Sequence, residues 1–207
     1  MSRLIGYLKQ FNSKERFFLV GHILGNPDFL PSVEFREDLG NVLGLQIPDT
    51  VFSAMDYHLD WIYASLTLAS DKEPVKIHTN TDSIIKAQQE DVDFLIAFEE
   101  GNETHLIFFE AKGVTGWTNK QMSSKVSRLK QIFGEDGEKW RGVTPHLVFI
   151  SPNEPQKLTM DDWRWCAPEG KVPWMKLSIP EGLIRVRRCD KDGTEDIEGE
   201  YWTVIYR

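Results

Sequence analysis

Three residues in this chain have the types and spacing to do chemistry together: Asp93, Glu110 and Lys112. Two carboxylates held side by side repel each other unless a cation lies between them. A hard divalent ion such as Mg²⁺ favours an oxygen environment of this kind. A lysine beside the pair can orient an attacking water or offset charge on a phosphate. The acid-x-Lys triplet by itself carries little weight, since composition supplies roughly two in a chain like this. Two occur, Glu110-Ala111-Lys112 and Glu169-Gly170-Lys171. The second lies in Ala-Pro-Glu-Gly-Lys-Val-Pro, a turn sequence with nothing to hold a ligand geometry. The first ends a short apolar run, and a neighbouring run carries acids at its matching end.

Those two runs, Val92 to Phe98 and His105 to Ala111, are nearly continuous in apolar residues and flank Glu-Glu-Gly-Asn-Glu-Thr. They predict a hairpin of two strands buried on both faces. Gly101-Asn102 suits a two-residue turn with glycine first. Centring the hairpin there sets Leu95 against Phe108, Asp93 against Glu110 and Asp91 against Lys112. Opposed side chains lie about 4.5–5.5 Å apart at Cβ, and a slip of one residue would turn Asp93 away. Around the hairpin the pattern predicts a short helix within Ser13 to Gly25, and another opened by Pro31-Ser32 and running to about Leu43. A third is predicted from Pro48-Asp49 to about Ala69, with Met55, Leu59, Ile62 and Leu66 at helical spacing. Asn80 to Gln89 reads as a loop or a short helix. Asn119 to Phe133 returns to helical period and is stopped by Gly134; Pro145 to Ile150 is a further strand. The tail carries strand-like runs at Leu183 to Val186 and Tyr201 to Tyr206. This order predicts a single α/β domain over 1–207, with its core at about 30–151 and a mixed tail over 152–207 packed on it.

The chain of 207 residues is 41% hydrophobic and 27% charged, an ordinary globular composition. No apolar run is long enough to cross a bilayer, so no membrane partner is expected. Two cysteines far apart, Cys166 and Cys189, argue against a disulfide framework and a structural zinc site, and a cytoplasmic location is the expectation. A net charge of -8 counts against a nucleic-acid partner, but its distribution does not. Acids dominate from Thr79 to Glu110, whereas Lys112, Lys120, Lys125, Arg128 and Lys130 follow without an acid between them. A second basic patch includes Arg185 and Arg187, which alternate on one predicted strand and could meet phosphates or cover a strand edge. Gln121, Lys125 and Arg128 share a helix flank that could line a phosphate-binding cleft or be solvated. Asp56, His58 and Asp60, His105 and His146, and Trp163, Trp165, Trp174 and Trp202 are read as structural. No nucleophile elbow, Walker loop or GxGxxG is present.

Glu-Asp-Val-Asp-Phe-Leu-Ile, then His-Leu-Ile-Phe-Phe-Glu-Ala-Lys-Gly, then a helix with Gln121, resembles the PD-(D/E)XK or restriction-endonuclease-like nuclease superfamily. The resemblance covers about Glu90 to Phe133, and Ser32 to Leu43 loosely; Val92 stands where the family has its variable proline. It implies a three-layer sandwich, a central mixed sheet flanked by helices. It implies metal ligands at Asp93, Glu110 and the Ala111 carbonyl, a catalytic Lys112, and Gln121 as the helix residue. An acid on the preceding helix would be Glu34, with Glu37 in reserve. The cofactor would be Mg²⁺, with Mn²⁺ able to substitute. The implied activity is hydrolysis of DNA phosphodiesters in a defence or repair role, with RNA and a homodimer left open. The alternative is a catalytically silent binding module on the same fold.

Overall fold

The computed structural model describes residues 3–71, 77–87, 90–113, 117–156, 158 and 163–206. In chain order the elements are α1 (Arg3–Phe11), α2 (Glu15–Ile23), α3 (Val33–Leu43), β1 (Phe52–His58), α4 (Leu59–Ser70), β2 (Asp91–Glu100) and β3 (Glu103–Ala111). Then follow α5 (Asn119–Phe133), β4 (Val143–Ser151), β5 (Trp174–Lys176), β6 (Ile184–Cys189) and β7 (Tyr201–Tyr206). Strands β1 to β5 form one mixed sheet in sequence order, antiparallel from β1 to β3 and parallel from β3 to β5. β6 and β7 form a separate antiparallel ribbon. No described helix is long and apolar enough to cross a membrane.

The sheet is covered on both faces, which is why its strands read as continuous apolar runs rather than as alternations. On one face Leu106, Phe108, Leu147 and Phe149 pack against Leu59, Ile62 and Leu66 of α4 and Met122, Val126 and Leu129 of α5. Leu4, Ile5 and Leu8 of α1 and Trp163, Cys166 and Val172 of the tail join this cluster, so the core reaches beyond residues 30–151 at both ends. On the other face Ile96, Ile107, Phe109 and Val148 pack beneath α3 through Leu39 and Phe35. The helix ends follow their local chemistry. The Ser32 hydroxyl accepts from the Phe35 N–H at 3.2 Å and opens α3. Gly44, at φ +67°, closes it in the left-handed conformation.

The hairpin register is the expected one: Leu95 pairs with Phe108 and Glu100 with Glu103, with Gly101 at φ +60° in the turn. The long helix expected from Pro48 is a strand followed by a helix, with the change at His58-Leu59. β1 is largely buried, including Phe52, Ser53, Ala54, Tyr57 and His58. A strand covered on both faces shows no period of two, so the helical spacing of Leu59, Ile62 and Leu66 extended backwards to Met55 by coincidence. Residues 80–87 are loop and turn rather than helix.

The sheet has an irregularity where the candidate residues sit. Ala54 and Tyr57, three apart on β1, both enter the same core cluster, as do Val92 and Leu95 on β2. Strict alternation would put residues three apart on opposite faces. Both strands therefore switch faces together across Asp56 and Asp93. Asp56 makes the switch at φ +49°, a conformation that aspartate tolerates better than most residues. Irregularities of this type re-aim single side chains at strand ends.

Candidate metal site at the end of the central hairpin

The β2–β3 ladder runs as far as Phe94 against Phe109 and then gives way to a side-chain contact. The Asp93 carboxylate accepts the Ala111 N–H at 2.6 Å, taking the place of the next ladder bond. Asp93 thus lies beside Ala111, between Glu110 and Lys112 in sequence, but re-aimed by the switch rather than standing squarely opposite Glu110. The backbone of Lys112 is fixed separately, its N–H donating to Ile150 O at 2.9 Å. Its ammonium lies 5.9 Å from the centre of the Trp117 ring. The expected Asp91–Lys112 pairing is absent: Asp91 pairs with His58 across β1, and its carboxylate is 3.6 Å from Lys14.

Glu110 is 6% exposed and turned toward α5. There Lys125 Nζ meets its Oε1 at 2.6 Å and also donates to the Asp91 carbonyl. Burial pushes the Glu110 carboxyl up to about 7 against the pull of Lys125; Asp93 adds to the rise and Lys112 opposes it. A carboxylate raised this far by desolvation and a neighbouring acid gains from a cation closer than a shared ammonium can come.

The other expected residues divide. The side chain of Gln121 lies outside the described residues. Glu34 is exposed on α3, on the face of the sheet opposite Glu110, as is Glu37, so the structure does not bring either to the pair. Arg128, for which a phosphate cleft and a solvated flank were both open, meets neither: it is 5% exposed and bound to Asp60, with Glu90 at 3.6 Å. Asp60 in turn accepts the N–H groups of Lys86 and Ala87, tying the loop before β2 to α4. Removing one partner of a buried pair strands the other's charge. Arg128→Ala is therefore expected to cost about 3–5 kcal/mol. Urea unfolding measures this, while the folded variant's site chemistry stays intact. Arg187 is held by Glu195 at 3.2 Å and by the Gly193 carbonyl, whereas Arg185 is exposed, both on the separate ribbon.

Lys14 is a residue the sequence reading missed. It precedes α2 and reaches Asp91 from 77 positions away in the chain, a contact with no local signature. His105 and His146 are satisfied as expected, with Nδ1 of one 3.0 Å from Nε2 of the other.

The protein's own ligand set fits a hard cation in kind. Among the described residues no group of three or more His, Cys, Asp or Glu side chains gathers to hold a metal ion. What the hairpin offers is two carboxylates and the Ala111 carbonyl. A small divalent ion that keeps several of its waters is commonly bound through one or two carboxylates.

Comparison with models of protein families, with curated proteins and with solved structures gives no match to this chain. The functional reading rests on the residues and their geometry.

Proposed function

We propose that this protein is a metal-dependent nuclease of the PD-(D/E)XK type that hydrolyses phosphodiester bonds in DNA. The observation that carries the reading is the hairpin register. Where that register ends, the face switch turns Asp93 onto the amide of Ala111, the residue between a buried Glu110 and Lys112 at the end of an apolar sheet. A five-stranded mixed sheet with helices on both faces is compatible with a restriction-endonuclease-like fold.

In this reading Asp93, Glu110 and the Ala111 carbonyl hold a Mg²⁺ ion. A bound divalent ion stabilises the charge developing on a phosphate and lowers the pKa of a coordinated water. The chain's own residues do the positioning. Lys112 orients the attacking water and balances phosphate charge. Lys125 pairs with Glu110 and would have to yield it for that carboxylate to hold an ion. Lys14 and Lys125 add positive potential beside the acids, which favours a phosphate backbone.

The second reading, a binding module without catalysis, is favoured by one observation. Both acids already have partners within the chain, Glu110 in Lys125 and Asp93 in the Ala111 amide. Incubation with plasmid and linear DNA in Mg²⁺, Mn²⁺ or EDTA separates the two. Cleavage that requires the metal supports the nuclease. Intact DNA under every condition, from a protein whose folding is verified, rejects it.

A further inference from the structure

Among the described residues β6 and β7 form a sheet of two strands, extended by a single bridge from Cys189 to Glu195, and no residue of either strand enters the two core clusters. Their register sets Ile184 against Tyr206, Val186 against Val204 and Arg188 against Trp202, which places these six side chains on one face. Five of the six are large and apolar, and all five are exposed, Val186 by 71%, Trp202 by 67% and Tyr206 by 80%. A two-stranded ribbon is marginally stable by itself in water, and a contiguous apolar face of this kind marks an interaction site.

We propose that this face is covered by the same face of a second copy of the chain, forming a twofold dimer. The area is of the right scale. Aromatic side chains bury about 150–250 Å² each, so two of them with three aliphatic neighbours present several hundred Å². A stable interface takes about 800 Å² from each partner. The arrangement is also self-complementary, as a twofold contact requires. With the ribbons antiparallel, the small central rung of Val186 and Val204 packs on its twin at the axis. The Arg188–Trp202 rung of each copy then meets the Ile184–Tyr206 rung of the other. The cation on the face is thereby set against an aromatic ring twice over, its stem fixed by a bond from Nε to the Gly199 carbonyl at 3.0 Å. The charge of the ribbon argues against a nucleic acid as the occupant. Residues 183–206 hold six acids and four bases, and Arg187 is engaged by Glu195. A phosphate backbone favours the opposite balance.

Sedimentation velocity on the full chain, over about a hundredfold range of concentration, tests this. The wild type is expected to sediment at the mass of two chains, falling to one on dilution. Trp202→Asp and Val186→Asp are expected to sediment as single chains with thermal melting close to wild type. Thr203→Asp, on the opposite face of the same ribbon, is expected to stay dimeric. A wild type that remains a single chain throughout overturns the proposal. Dimers of Trp202→Asp and Val186→Asp as tight as wild type also overturn it. So does dissociation of Thr203→Asp to the same extent, because the effect would then not belong to that face.

Discussion

Glu110→Gln is expected to lower metal-dependent DNA cleavage by at least about three orders of magnitude while making the folded chain more stable above pH 7. The two effects have one cause. Glu110 is buried, and its carboxyl is pushed from 4.5 up to about 7. Between those values the folded chain holds a proton that the unfolded chain has released, so stability falls as pH rises through the window. Above pH 7 the full cost of an ionised, desolvated carboxylate remains, on the order of 3 kcal/mol. Glutamine mimics the protonated acid, keeps a carbonyl oxygen for Lys125 and removes that cost. Urea unfolding at pH 8 should favour the variant by about 2–3 kcal/mol, with the gap closing toward pH 5. The wild type alone would hide this. Burial lowers His146 to about 4, and between 4 and 6.5 that histidine changes stability in the opposite direction. A variant less stable than wild type at pH 8, or one that cleaves normally, would contradict the assignment of Glu110.

The two lysines near the pair should separate in experiment. Lys112→Met is expected to slow cleavage about 10²–10⁴-fold, the range of a lost proton-handling group, and to leave Mn²⁺ affinity within about twofold. Lys125→Met is expected to do the reverse on metal, tightening Mn²⁺ about tenfold. Its ammonium holds the Glu110 oxygen at 2.6 Å and repels an incoming cation. Mn²⁺ binding followed by electron paramagnetic resonance reads both without depending on activity. If Lys125→Met slows cleavage as Lys112→Met should, and also loosens the metal, the roles of the two lysines are exchanged.

What could be read in advance was set by short-range chemistry. A glycine turn at Gly101-Asn102 between two apolar runs fixes the β2–β3 register. Ser32 and Gly134 mark helix ends by capping and by glycine's backbone freedom. The local geometry of Asp93 was not legible, because its re-aiming depends on Asp56, a residue on another strand with φ +49°. The helix flank bearing Lys125 and Arg128 was legible as basic, but not that one residue binds Glu110 while the other is buried on Asp60. Two charges three residues apart look alike in a sequence, and what faces them is decided by how α5 lies on the sheet. Trp202 was grouped with the packing tryptophans and is exposed, since nothing along the chain tells a strand in the main sheet from one in a lone ribbon.

The most direct measurement is a crystal of the protein soaked in Mn²⁺, with the ion located by its anomalous scattering. The account predicts a single strong site bounded by Asp93, Glu110 and the Ala111 carbonyl, with Lys125 displaced from Glu110, and no such site in Glu110→Gln. Manganese absent from the hairpin end in the wild type, with Lys125 still on Glu110, would contradict it.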